Sequence, residues 1–237
     1  MTKLSNADLN KAPPMSTLRY LTKEDFMRRT KELETGHWTP RLLEGRWDYH
    51  SRVVELIKGL GINDPSQVLE MGTMGITCVA DSHTMDILDE NWKFRDKKPT
   101  VAHDARQLPW PVANKRYDLF VALRVFQHLT PVQKECVHEA MRVASKIILV
   151  VPSTYDNAAH PAAKGITYQD LVRFIGAHPN LYTSTHFGDL YYFDLANPSR
   201  LDLEIVMAPL PAQVVYKTPP PGLLQRIEAK VRSLIKV

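Results

Sequence analysis

Two apolar runs constrain this chain more than any other feature. Residues 119–123 follow Asp118 without a polar side chain, and residues 147–151 follow Lys146 in the same way. A strand with one covered face alternates apolar and polar side chains, whereas a strand covered on both faces does not. Between the runs, Val132, Cys136, Val137 and Ala140 recur at helical spacing over 131–144, and Pro131 suits a first helical turn. Two fully buried strands around a helix predict a parallel sheet with helices on both faces.

The rest of the sequence extends the alternation. Helices are predicted over 22–33 and 47–60, with Trp38, Thr39 and Pro40 breaking the pattern between them. The second carries Val53, Val54, Ile57 and Leu60 on one face and ends at Gly61. Strands over 67–71, 84–88 and 99–102 precede the first apolar run. A helix over 167–177 follows the second, with Leu171, Phe174 and Ile175 inward. Strands over 181–187 and 201–208 then come with no helix between them, which predicts an antiparallel edge hairpin joined through Asn197, Pro198 and Ser199.

The chain divides accordingly into a flexible N-terminus (1–16), a main domain (17–212) with a helical cap (17–61), and a Pro-rich linker with an amphipathic helix (213–237). That last helix places Leu223, Ile227, Val231 and Leu234 on one stripe, with Arg226, Lys230 and Lys236 among them.

The formal net charge of +4 over 237 residues is modest and spread along the chain, so nucleic acid is disfavoured as a partner. Cys78 and Cys136 lie in apolar surroundings without metal-type spacing and read as buried free thiols of a reducing compartment. No His, Asp and Glu cluster has ligand spacing, so no metal is expected. The N-terminus is polar, and no apolar run approaches the ~20 residues needed to span a bilayer. A cytoplasmic location is expected.

In a doubly wound sheet, ligands bind where the winding reverses, at the carboxyl ends of the central strands. The first strand runs into Gly72, Thr73, Met74 and Gly75. A pyrophosphate needs a loop with three glycines for close backbone approach, and this loop has two, which argues against NAD or FAD.

From the first strand onward the chain carries an ordered set: Glu70 and Gly72; Asp104 and Ala105; Leu108, Pro109, Trp110 and Pro111; Tyr117 and Asp118; Arg142 and Val143. Over about residues 67–153 this set resembles the class I methyltransferases that use S-adenosylmethionine (SAM). The resemblance implies a Rossmann-like α/β fold: a seven-stranded, mostly parallel sheet with an antiparallel edge hairpin, helices on both faces, N-terminal helices and SAM as cofactor. It assigns Glu70 to the ammonium end of SAM, Gly72 to close backbone approach, Asp86 to the ribose hydroxyls, and Asp104 with Ala105 to adenine. Thr73 and Gly75 complete the loop, and Leu123 and Arg124 border the cofactor at the end of the fourth strand. Two departures stand out. Met74 occupies the usual second glycine position, and only a short segment separates the loop from Thr84, so a shortened first helix is required.

Methyl transfer is an in-line displacement at a carbon already activated by the sulfonium, and the protein's main task is positioning. An oxygen acceptor can also need a general base. His128, just after the fourth strand, is one candidate and otherwise a loop anchor; His160 is another and otherwise an exposed loop residue. Arg124 reads as a planar fork for an acidic acceptor or as a structural ion pair. Tyr49 in the cap, Tyr155 after the fifth strand and His186 in the hairpin complete the expected acceptor wall.

The expected activity is methyl transfer to oxygen of a small molecule or glycan. Methylation of protein or nucleic acid is the alternative, weakened because the Asn/Asp-Pro-Pro-aromatic element is replaced by Ala122, Leu123, Arg124 and Val125. A non-catalytic partner protein of the same fold is a third reading. The tail helix packs on its own domain or a second subunit, docks on another protein, or lies weakly on a membrane surface.

Overall fold

The computed structural model describes residues 18–33, 39–89, 92, 98–155 and 160–199. The N-terminus over 1–16, the strand expected over 201–208 and the amphipathic tail lie outside the described residues. The strands are β1 (Val68–Met71), β2 (His83–Asp86), β3 (Val101–Ala102), β4 (Tyr117–Leu123), β5 (Ala144–Val151), β6 (Leu181–Thr185) and β7 (Gly188–Asp194). They lie side by side in the order β3-β2-β1-β4-β5-β7-β6. The pairings from β3 across to β5 are parallel, and β7 runs antiparallel to both β5 and β6. This is the Rossmann-like sheet, mostly parallel with an antiparallel edge pair, that the resemblance implied.

The two apolar runs form its centre. Phe120 and Ala122 of β4 and Ile147, Leu149 and Val151 of β5 enter one core, while Leu119, Val121, Ile148 and Val150 enter the other. Alternate side chains therefore meet different helical layers, which is why neither run has a polar face. Helices α3 (Gln133–Val143) and α4 (Tyr168–Ile175) cover the first side, and α2 (Pro40–Lys58) covers the second through Val53, Val54 and Ile57. Helix α1 (Lys23–Glu32) packs on α2, with Phe26 5.6 Å from Trp47 between ring centres.

The sequence dictates several boundaries locally. Thr167 and Asp170 form a reciprocal capping box on α4, which ends at Gly176 with φ 77°. Thr39 and Pro40 start α2 instead of breaking the helical pattern: the Thr39 hydroxyl accepts from Leu42 N, and Pro40 occupies the first turn, where a missing N–H costs nothing.

Two expectations are corrected. β6 pairs with residues 188–194, reached directly through His186 and Phe187, and not through a turn at Asn197, Pro198 and Ser199. Gly188, with φ 154°, lets this return lie tight against β5, since a Cβ there would meet the Val151 carbonyl at 2.8 Å. Nor does a shortened helix join β1 to β2. Residues 72–82 carry no helix at all.

Candidate cofactor and acceptor site

The missing helix is replaced by a carboxylate. Glu70, only 2% exposed on β1, accepts from Cys78 N at 2.7 Å, Val79 N at 2.9 Å and Ser82 Oγ at 2.8 Å. Those buried donors would otherwise be orphaned. The N-terminal segment closes the same loop from outside, where Leu21 N donates to Cys78 O at 2.9 Å and Ala80 N to Arg19 O at 2.8 Å. Burial raises the Glu70 pKa, and these three donors pull the other way. Its carboxylate therefore turns to the protein's own loop, although the residue still lines the cavity beside Gly72.

The loop after β1 keeps the left-handed turns of a glycine loop with fewer glycines. Gly72, Met74 and Gly75 have φ of 66°, 49° and 77°. At Gly72 a Cβ would meet Val125 Cγ2 at 2.3 Å, so glycine is required here by the packing of Val125. Met74 adopts this conformation at a cost of about 1–3 kcal/mol. Asp86 offsets it, accepting from Met74 N at 3.1 Å and Thr73 Oγ1 at 3.3 Å. Burial raises the Asp86 pKa to about 6, against those two hydrogen bonds.

Beneath α2, a small cavity of about 50 Å³ is lined by Arg46, Tyr49 and His50 on one side and Glu70, Gly72, Thr73 and Leu123 on the other. Arg46 Nη1 donates to the Tyr49 hydroxyl at 3.2 Å. Burial drives the His50 pKa down to about 4, so its ring is neutral, and Nδ1 meets Arg46 O at 2.8 Å. Arg46 is thus the cation at this cavity, and the sequence reading missed it. The available signal was its position three residues before Tyr49, on the same helical face.

Along the rim, β2 and β3 pair Asp86 with Ala102, so Asp104 emerges from the adjoining strand end. Arg106 engages both Asp104 oxygens, its Nη2 at 2.7 Å, and holds the carboxyl below its usual range. The Ala105 carbonyl accepts from Trp110 Nε1 at 2.9 Å and Cys136 Sγ at 3.3 Å, which fixes that peptide. Ile87 beside Asp86 is 46% exposed, an apolar surface at the same rim that the sequence reading did not use.

The opposite end of the rim gathers the acceptor candidates. His128 lies 5.0 Å from His160 and 5.5 Å from Tyr155 between ring centres, both edge to face. Although exposed overall, the His128 ring is partly desolvated by these neighbours. That desolvation lowers its pKa, with smaller contributions from His160 and Arg124. Arg124 has φ 63°, donates through Nη1 to the Phe187 carbonyl and lies over the Tyr155 and Phe187 rings at 5.5 and 5.9 Å.

His186 stands apart from this cluster. Its N–H donates to Asp48 Oδ2 at 3.1 Å, and its ring packs against Gly45 of α2. It borders an open polar groove of about 460 Å³ with Arg41, Asp48, Arg52 and Thr185. Among the described residues no three metal-ligating groups come together.

No family model matches the chain, and no curated protein does. Among solved structures it is similar to a SAM-dependent methyltransferase from Aquifex aeolicus, with 13% identity over 73% of this chain and 97% of that one (TM-score 0.47). It is also similar to a candidate methyltransferase from Bacillus halodurans C-125, at 17% identity over 56% of this chain and 71% of that one (TM-score 0.41). A third match is a chain of the complex between the Haloferax volcanii Trm112 methyltransferase activator and a candidate methyltransferase, at 14% identity over 76% and 83% (TM-score 0.42). With TM-scores below 0.5 these likenesses carry nothing about substrate.

Proposed function

We propose that this chain binds SAM and transfers a methyl group to oxygen of a small molecule or glycan. One observation carries the proposal. A positive-φ loop, two strand-end carboxylates and a cation beneath a cap helix share one rim of the sheet, with two histidines at its end.

The donor set fits SAM. Gly72 borders the cavity, and its missing Cβ makes room for the Val125 side chain behind it. Arg46 would hold the carboxylate end, Asp86 the ribose diol and Asp104 with Ala105 the adenine. The enclosed cavity is far smaller than the roughly 300 Å³ or more of a full ligand pocket, so it suits the amino-acid end alone while the nucleoside lies along the rim. Bound SAM supplies a methyl carbon activated by its sulfonium. His128, its pKa lowered, is neutral near neutral pH and serves as proton acceptor for the attacking hydroxyl. Isothermal titration with SAM and with S-adenosylhomocysteine (SAH) tests the cofactor, one equivalent of each being expected. A folded protein that binds neither would sink the proposal.

The occupied carboxylates favour a second reading. Asp86 and Asp104 already accept from Thr73, Met74 and Arg106, as in a fold whose cofactor site has become structural. A non-catalytic partner protein would show no heat with either ligand, and Asp104→Ala would leave its biological activity intact.

A cytoplasmic location belongs to the same proposal, supported by the two buried free thiols. No helix among the described residues is long and apolar enough to cross a membrane.

A further inference from the structure

Arg124 stands where three rim segments meet: the end of β4, the segment after β5 and the β6–β7 turn. Its backbone N–H donates to Val150 O at 2.7 Å, which ties it to β5. Its guanidinium donates to the Phe187 carbonyl in the turn and lies over the Tyr155 ring at 5.5 Å. The Tyr155 ring in turn meets the edge of His128. The residue's left-handed backbone costs about 1–3 kcal/mol and persists only because the surroundings over-determine it. A planar cation that donates to a carbonyl while resting between two aromatic faces is a contact that lysine does not reproduce.

We propose that Arg124 is a positioning residue, and not an acceptor-binding one: by holding Tyr155 and the Phe187 turn together it fixes the His128 ring at the acceptor end of the rim. The inference rests on the methyltransferase reading for the use of His128 but not for the contact itself. The side chain is half-buried, with Nη1 committed to the Phe187 carbonyl and its plane lying over two rings.

The arrangement also sets the charge state of His128. Among the described residues, the titratable groups facing its ring are His160 and Tyr155, with the Arg124 cation beyond the Tyr155 ring. Lys164 approaches through its backbone N–H, which donates to Gln127 O at 2.8 Å. A nearby positive charge disfavours a second one, so Arg124 helps keep His128 neutral.

The test compares Arg124→Lys and Arg124→Leu, with Tyr155→Phe and Tyr155→Leu as a second pair, all in the full chain. NMR titration of labelled histidine gives the His128 midpoint without needing activity. Arg124→Leu should raise it, because the cation and the packing are both gone. Arg124→Lys should leave it near the wild-type value.

Turnover of a methyl acceptor, once one is found, should fall about tenfold in Arg124→Lys and Tyr155→Leu with KM little changed, and should survive in Tyr155→Phe. A His128 midpoint unmoved in Arg124→Leu overturns the inference, as does a Tyr155→Leu variant with wild-type turnover. Titration with SAH separates the two levels. Wild-type protein that fails to bind SAH loses the methyltransferase reading, while the His128 midpoints still decide the Arg124 contact.

Discussion

Glu70 and Asp86 sit where the sequence places them, at the carboxyl ends of β1 and β2, yet their partners were not legible. Three of those partners are backbone N–H groups, of Cys78, Val79 and Met74, which leave no side-chain pattern to read; the Ser82 and Thr73 hydroxyls join them. Arg46 escaped because the cap helix is expected to begin at Trp47, whereas α2 begins at Pro40 and so carries Arg46 on the face of Tyr49. Glu70→Ala should cost about 3 kcal/mol, because it strands donors that are each worth roughly 1–3 kcal/mol unsatisfied, and urea unfolding measures it. Asp86 adds a pH dependence. Its folded pKa of about 6 lies above the ordinary value of 3.8, so burial disfavours the ionised form. The stability contribution of the protonated group is complete below pH ~4 and lost as pH rises through ~6. Asp86→Asn should therefore gain about 1–2 kcal/mol over wild type at pH 8, after allowance for solvent screening, and nothing at pH 4. Melting temperature against pH reads this directly. The same variant should bind SAH more weakly, since the ribose would lose its charged acceptor.

The elements that the sequence specifies best are those with two independent signals. β4, β5 and α3 combine unbroken apolar runs with helical spacing, and α4 adds its capping box. The hairpin was misread because the His186–Phe187 turn carries none of the Asn-Gly chemistry that marks tight turns, so β6 seemed to run on and its partner was sought beyond residue 200. The turn is held from outside instead, by Asp48 on α2 and by Arg124 just after β4. Gly45 makes this docking possible: a Cβ there would lie 2.2 Å from His186 Cδ2 and 2.4 Å from Phe187 Cε2. Glycine-to-alanine inside a helix ordinarily gains up to ~1 kcal/mol. At Gly45 the sign should reverse, with a loss of about 1–3 kcal/mol from overpacking, and urea midpoints would show it. A neutral or stabilising Gly45→Ala would mean that the hairpin does not rest on α2.

At the scale of the whole molecule, the chain forms its seven-stranded Rossmann-like sheet without a helix between β1 and β2. That face still needs a cover, and it gets one from α2, from the Glu70-bound loop and from the strap at residues 18–21. Leu18 is buried to 8% exposure in the same core as Cys78 and Val79, and Tyr20 bridges antiparallel to Val79. The sequence could not show this, because the strap and the loop lie about sixty residues apart and pair mainly through backbone, with one exposed Arg19–Asp81 ion pair beside it. Removal of residues 1–21 should test the substitution. It deletes two backbone hydrogen bonds at about 1 kcal/mol each and one buried leucine at about 1.5–3 kcal/mol, for a loss of roughly 3–5 kcal/mol. The loss should also be local. Amides of residues 76–82 should exchange with solvent about a hundredfold faster or more, whereas those of β4 and β5 should keep their protection relative to the lowered global stability. Because Glu70 and Gly72 flank the loosened loop, SAH affinity should drop with it. If residues 76–82 stayed slow to exchange after truncation, the Glu70 carboxylate would suffice to hold the loop, and the strap would be a passenger.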